Sequence, residues 1–312
     1  MKNNILKSIL FTATFGALVA CEEQIFPELE SAEPVLVIDA WVTNRDQPQV
    51  IKITRSQPYF DEVLPTGVAG ASVSVSDNLG NVFTFTEGAT QGEYVWTPVG
   101  NVGFGTVGNS YELTVTVNGE TFLANARMND VPPVDSITFN KQEGTQFFDD
   151  LYFAEFWGTD LLPVGDAYWI KTYKNGQLLN KPSEISLAYD AAFSRGADYS
   201  GEKFITPIRT SINPFDEGAD GSLLSPYSVG DSLYVEINSL SQEAFDFLTE
   251  VQLQTDRPGG FGELFSTPIA NVPTNVRNVN ASGSKVVGFF NVAAVAGNGR
   301  RFKSLDEVSR VY

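Results

Sequence analysis

The sequence predicts a mainly β protein: an antiparallel β-sandwich over residues 35–130, then a second β-rich domain with one short helix over 131–312. Three observations predict it. Apolar and polar residues alternate with period two in a succession of short runs, the pattern of strands with one buried and one wet face. Turn signals divide those runs at short spacing, among them Asn118-Gly119 and Asn175-Gly176, the dipeptide favoured by two-residue hairpins. Ser241 to Gln254 carries the apolar spacing of a helix.

The chain opens on a leader. Lys2 and Lys7 supply positive charge, and Ser8 to Ala20 is uncharged and mostly apolar. That stretch is shorter than the roughly 20 residues of a membrane-spanning helix, so residues 1–20 read as a secretory signal peptide. Residues 21–34 follow as an acidic tether, with Glu22, Glu23, Glu28, Glu30 and Glu33 keeping it extended and hydrated.

Seven strands are expected before residue 130. They run Val35 to Val42, Val50 to Thr54, Ala71 to Ser76, around Phe83 and Phe85, Glu93 to Trp96, Ser110 to Val117 and Thr121 to Arg127. The stretch from Val68 to Asp77 resembles prealbumin-like or immunoglobulin-like modules. Pro132-Pro133 stops any regular element and marks the boundary. Beyond it, strands are expected from Ser136, over Leu151 to Trp157, Ala167 to Tyr173 and Leu233 to Ile237, with a polar insertion from Asn180 to Thr210. Ser241 is placed to cap the helix, with Glu243 in its first turn and Phe245, Leu248, Val251 and Gln252 along one side. Val286 to Gly297 is apolar over too few residues to span a membrane and reads as one buried strand.

Composition narrows the chemistry. With 38 acidic against 20 basic residues the formal charge is −18, which repels nucleic acid and disfavours lying flat on an anionic membrane. There is no histidine and a single cysteine, Cys21, so histidine-based triads and internal disulfides are excluded. Carboxylate-pair hydrolysis, a Ser-Lys dyad and calcium bound by oxygen ligands remain chemically open.

Each candidate constellation has a plain alternative. Ser282-Gly-Ser-Lys285 matches the spacing of a serine nucleophile and its lysine, but lies in a turn, without the partner motifs. Asp216, Glu217 and Asp220 concentrate carboxylates as weak calcium candidates; their spacing is not that of an EF-hand, and a solvated loop is the expected state. Asp149-Asp150 is a lesser version of the same pattern. Trp41, Trp96, Trp157 and Trp169 all fall in strands, where most belong to cores and one or two could stack on sugars or peptides. No catalytic residue and no cofactor beyond a covalent lipid is expected, and the ligand-binding residues stay unassigned.

Four resemblances supply the functional expectation. Leu18-Val19-Ala20-Cys21, closing the apolar run, resembles a bacterial lipobox, which implies acyl chains (palmitate among them) on Cys21 after removal of the signal. Glu22-Glu23 is similar to the surface-export signal of Bacteroidota lipoproteins, and Asp135-Ser136-Ile137 and Asp231-Ser232-Leu233 to an O-glycosylation sequon of that phylum. More broadly, Glu33 to Val42, Thr54 to Asp61, Val68 to Asn81, Pro132 to Ile137, the helix bearing Phe245, and Asn271 to Asn275 leading to Gly288-Phe-Phe290 resemble the Bacteroidota lipoprotein family defined by domain of unknown function 4249 (DUF4249). The resemblance implies a lipid-anchored outer-membrane protein facing the cell exterior. It also implies a non-enzymatic binding or accessory subunit for nutrient uptake beside a TonB-dependent transporter. Its ligand would be a small molecule, peptide or glycan. The alternatives are a structural or adhesive surface protein and, less favoured, a carboxylate-based glycan hydrolase.

Overall fold

The computed structural model describes residues 33–310, apart from 59, 60, 62, 101, 102, 146–148, 163, 197 and 198. The signal peptide, Cys21 and the tether up to residue 32 lie outside the described residues. Pro34–Tyr312 forms one compact unit.

The seven expected strands are β1 (Leu36–Thr43), β2 (Gln49–Arg55), β3 (Ser72–Asp77), β4 (Val82–Glu87), β5 (Glu93–Trp96), β6 (Ser110–Val117) and β7 (Glu120–Arg127). Alternation decides their faces. Leu36, Ile38, Ala40 and Val42 of β1 and Tyr111, Leu113, Val115 and Val117 of β6 turn inward. Each such side chain contributes on the order of 1.5–3 kcal/mol by leaving water. Asn118 and Gly119 have φ of 53° and 80°, and Asn175 and Gly176 have 52° and 80°. Positive φ at both central positions is what the two-residue hairpin turn demands.

Two later strands, β14 (Arg277–Asn278) and β15 (Val286–Ala293), join these seven in one nine-stranded sheet. Its order is β14-β7-β6-β3-β4-β5-β2-β1-β15. β4 pairs with β3 through its first four residues and with β5 through Thr86 and Glu87, so its two ends belong to the two layers of a sandwich. β15 lies parallel to β1 over its whole length.

The rest of the chain makes a second layered body. β8 (Ser136–Gln142) and β9 (Leu151–Trp157) form a three-stranded sheet with β17 (Val308–Arg310). Facing it is a sheet of β10 (Ala167–Lys174), β11 (Gln177–Leu178), β12 (Ser186–Tyr189), β13 (Ser232–Leu240) and β16 (Val295–Arg301). Ile137, Phe139 and Phe156 pack between them against Tyr168, Ile170, Val235 and Ile237. The segment 180–210, polar by composition, adds to this core: β12 is buried throughout, and Phe204 and Ile208 are fully enclosed. Ile208 belongs to a short helix, α1 (Thr206–Thr210).

The predicted helix is α2 (Gln242–Thr255), capped by the Ser241 hydroxyl, which accepts from the Ala244 N–H at 3.1 Å. Its inner face, Ala244, Phe245 and Leu248, covers Ala167, Tyr189 and Leu240, with Phe289 of β15 in the same cluster.

One expectation is corrected. The apolar stretch from Val286 to Gly297 is two strands serving two sheets, because the chain leaves β1 at Ala293 and begins pairing with β13 at Val295. At the crossing, the Ser239 hydroxyl accepts from the Ala294 N–H at 2.9 Å, and the Ser239 N–H donates to the Ala294 carbonyl at 2.9 Å. The crossover satisfies its own backbone, so it needs no polar turn residues. β14 and β15 thus complete the first sandwich from beyond Pro132-Pro133.

Two free strand edges are closed by asparagine side chains. Asn275 exchanges two hydrogen bonds with the Phe290 backbone, at 2.8 and 2.9 Å, and Asn213 does the same with Ala154, at 2.8 and 2.7 Å. Each amide stands in for a neighbouring strand and removes an edge open to pairing.

Candidate functional site

The crossover at Ala294 brings together two sheet faces that point away from the two main cores. On β1 the residues between the core positions are Val37, Asp39 and Trp41. On β10, Tyr168, Ile170 and Thr172 are buried, leaving Trp169, Lys171 and Tyr173 on the opposite face. Their partners on β13 are Asn238, Glu236 and Tyr234. Starting at the crossover, aromatic residues come first and charges follow.

Trp41 stacks on Phe289 at 5.7 Å between ring centroids and meets Trp169 edge-on at 5.6 Å. Phe247 of α2 closes the group, 5.9 Å from Trp41 and 4.6 Å from Phe289. Phe289 is buried, while Trp41 and Trp169 keep part of their surface in solvent. Offset and edge-on pairs of this kind add about 0.5–1.5 kcal/mol each beyond burial and hold the indoles rigid.

Beyond the indoles the walls are ionic. The Lys171 ammonium sits 4.0 Å from the centroid of the Trp169 ring. Beside it Glu236, almost wholly buried, has its Oε2 2.6 Å from the Arg45 guanidinium, a charge contact without hydrogen-bond alignment. Arg45 also lies over the Tyr234 ring, 5.3 Å from its centroid, and donates to its hydroxyl at 2.5 Å. Asp39 is exposed to solvent but hemmed in. Burial pushes its carboxyl above the ordinary range, against the opposing pull of Lys52 and Lys171. Burial pulls Lys171 below its ordinary range, opposed by Glu236 and Asp39. Asp39 and Trp41 on one face and Lys171 and Trp169 on the other thus flank the junction of the two sheets.

At its closed end, the amide oxygens of Asn238 and Asn291 are buried without a hydrogen-bond partner. Their amide nitrogens reach only long contacts, 3.4 Å, to the carbonyls of Trp169 and Ser239. The arrangement is a mixed-charge aromatic cleft. Its chemistry is recognition: rigid ring faces for apolar groups and opposite charges for polar ones.

The residues singled out from the sequence sit elsewhere, apart from two tryptophans. Trp96 packs on Phe83 and Phe104 at the edge of the first core. Trp157 is covered by the Arg209 guanidinium at 4.4 Å and donates to Thr138 at 3.1 Å. Trp41 and Trp169 are the pair that converge. Asp216 forms an ion pair with Lys181, and Asp220 accepts from the Ser222 N–H and hydroxyl at 3.0 and 2.6 Å. Glu217 makes an isolated bridge with Leu223 within that loop. Asp150 pairs with Lys141 at 2.7 Å. Among the described residues no group of three or more carboxylate or thiol side chains is arranged to hold a metal ion. The Ser282 hydroxyl donates to Asn280 at 2.9 Å within its turn, and Glu120 ties the next serine down by accepting from the Ser284 N–H at 2.8 Å. Ser136 and Ser232 are exposed at the first positions of β8 and β13.

A second carboxylate cluster lies against β10. Asp160 is 5% exposed and accepts from the Tyr168 hydroxyl at 2.7 Å. Burial raises its pKa to about 6, with Asp166 and Asp190 adding repulsion. Asp190 accepts from the N–H groups of Gly165 and Asp166 at 2.7 and 2.9 Å, which fastens the segment after β9 to the end of β12. This cluster is a structural lock.

No curated protein matches this chain. A family model described as a domain of unknown function, DUF4249, matches residues 22–298, which include the first sandwich, the crossover and every residue of the cleft. The chain belongs to the DUF4249 family.

Proposed function

We propose that the protein is a non-enzymatic binding subunit, anchored in the outer membrane by lipid on Cys21, facing the cell exterior and working beside a TonB-dependent transporter in nutrient uptake. The observation that carries this reading is the cleft, where Trp41, Trp169, Asp39 and Lys171 offer rigid rings and opposite charges to a small guest. The strong negative charge supports a body held off an anionic membrane by its acidic tether. A second feature supports a protein partner. After α2, Phe261, Leu264 and Phe265 stand at 75–80% exposure, and Ile269 is exposed nearby. Large apolar side chains grouped in water mark interaction surfaces.

The reading is tested by extracting membranes in mild detergent and pulling down the tagged full chain. A transporter barrel should copurify, and Phe261→Asp with Phe265→Asp should lose it while leaving the lipoprotein folded. Recovery of the lipoprotein alone, under conditions that preserve other transporter complexes, would overturn it. Radiolabelled palmitate should enter the wild type and not Cys21→Ser.

A further inference from the structure

The cleft holds two charges that the protein leaves unmatched. Asp39 and Lys171 each sit mid-strand among mostly apolar neighbours, Val-Ile-Asp-Ala-Trp and Trp-Ile-Lys-Thr-Tyr. Among the described residues, neither has an ion-pair or hydrogen-bond partner. The neighbours that could neutralise them are committed elsewhere: Lys52 to Glu93 at 3.2 Å, and Glu236 to Arg45 at 2.6 Å. The Lys171 ammonium rests on the Trp169 ring instead.

A carboxylate and an ammonium that solvent reaches, each without a protein partner, are open to a guest of matching charge. Asp39 stands two residues from Trp41 and Lys171 two residues from Trp169, on the two faces that those indoles join at 5.6 Å, so they belong to one recess. A guest with a single charge would meet its like on the facing wall. A neutral sugar would leave both groups unmatched. A guest carrying both signs satisfies both.

We propose that the cleft binds a zwitterion, a free α-amino acid with an apolar side chain. Its ammonium lies at Asp39, its carboxylate at Lys171, and its side chain against Trp41 and Trp169. This rests on reading the cleft as the ligand site and names the class of ligand it takes.

The test uses the detergent-solubilised full chain and four probes: L-phenylalanine, 3-phenylpropionate, 2-phenylethylamine and maltohexaose. Binding is followed by tryptophan fluorescence and calorimetry. L-Phenylalanine should bind saturably, and each single-charge analogue at least tenfold more weakly. Asp39→Asn should abolish the preference for L-phenylalanine over 3-phenylpropionate. Lys171→Met should abolish the preference over 2-phenylethylamine, and Lys171→Arg should retain it. The comparison among probes on the wild type stands even where a variant misfolds. Equal binding of the three phenyl compounds, or no binding of L-phenylalanine, overturns the inference. Binding of maltohexaose alone overturns it while leaving the cleft as a ligand site, and copurification with a transporter reports on the broader reading independently.

Discussion

A buried carboxylic acid that holds its proton near neutral pH makes stability depend on pH in a definite direction. Asp160 titrates at about 6 in the folded chain against an ordinary 3.8. The folded state therefore binds this proton more tightly than the unfolded one. The group does not penalise folding below about pH 4, and its cost grows as pH rises to 6 and then levels off. At about 1.36 kcal/mol per pKa unit, the cost at pH 8 is roughly 3 kcal/mol. Asp160→Asn keeps an acceptor for the Tyr168 hydroxyl and cannot ionise. It should be more stable than the wild type by about 1–3 kcal/mol at pH 8, with the difference shrinking towards pH 4, as measured by urea unfolding across that range. A stability difference that does not change with pH would show that the fold leaves the Asp160 pKa at its unfolded value. The same physics made the cleft partly legible in the sequence. Asp39, Lys171 and Glu236 each interrupt an apolar strand with a charge, and period two puts each on the face away from its own main core. That the two outward faces meet is decided by the crossover, which leaves no local signal.

At the scale of elements, β15 is where sequence and structure part. The strands of the first sandwich were legible because each alternates and ends in turn residues, and α2 because Ser241 and the apolar spacing behind it agree. The run from Val286 to Gly297 is apolar without a breaker, so nothing local divides it or says which sheet receives each half. β12 was hidden for a related reason: Ser186-Leu-Ala-Tyr189 is too short to show a period, and all four residues are buried. One residue of β15 does announce the close packing. Gly288 has φ of 112°, and a Cβ there would lie 2.0 Å from the Ile38 carbonyl oxygen of β1. Gly288→Ala should therefore cost several kcal/mol, about 3 or more, through backbone strain and displacement of β1. Ser241→Ala removes one cap bond, and should cost about 1 kcal/mol. Thermal unfolding of the two variants side by side gives the ranking. If Gly288→Ala proved as stable as Ser241→Ala, β1 and β15 would not be in this close register.

For the molecule as a whole, the crossover makes the two layered bodies interdependent. Without β15 the first sandwich loses Phe290 and Val292, both fully buried, and β1 becomes a bare edge of unpaired N–H and C=O groups. Each fully buried apolar side chain is worth on the order of 1.5–3 kcal/mol, and a whole domain has only about 5–15 kcal/mol of net stability. A fragment of residues 34–130, although it contains the seven early strands of its own sandwich, should fail to unfold cooperatively in urea and should show collapsed amide dispersion. Adding a peptide of residues 271–299, which carries Asn275, β14 and β15, should restore both. A fragment that unfolds sigmoidally by itself, with the stability of the full chain, would show that the sandwich closes without its late strands. The consequence reaches the cleft, because Asp39 and Trp41 stand on the strand that β15 pins while Trp169 and Lys171 stand on the sheet that β16 extends. The geometry between the two unmatched charges thus depends on one short peptide segment, Ala293 to Val295, together with the Trp41–Trp169 and Arg45–Glu236 contacts. A substitution there that loosens the join should weaken binding of a doubly charged guest more than that of a singly charged one, since only the former needs both walls at a fixed distance.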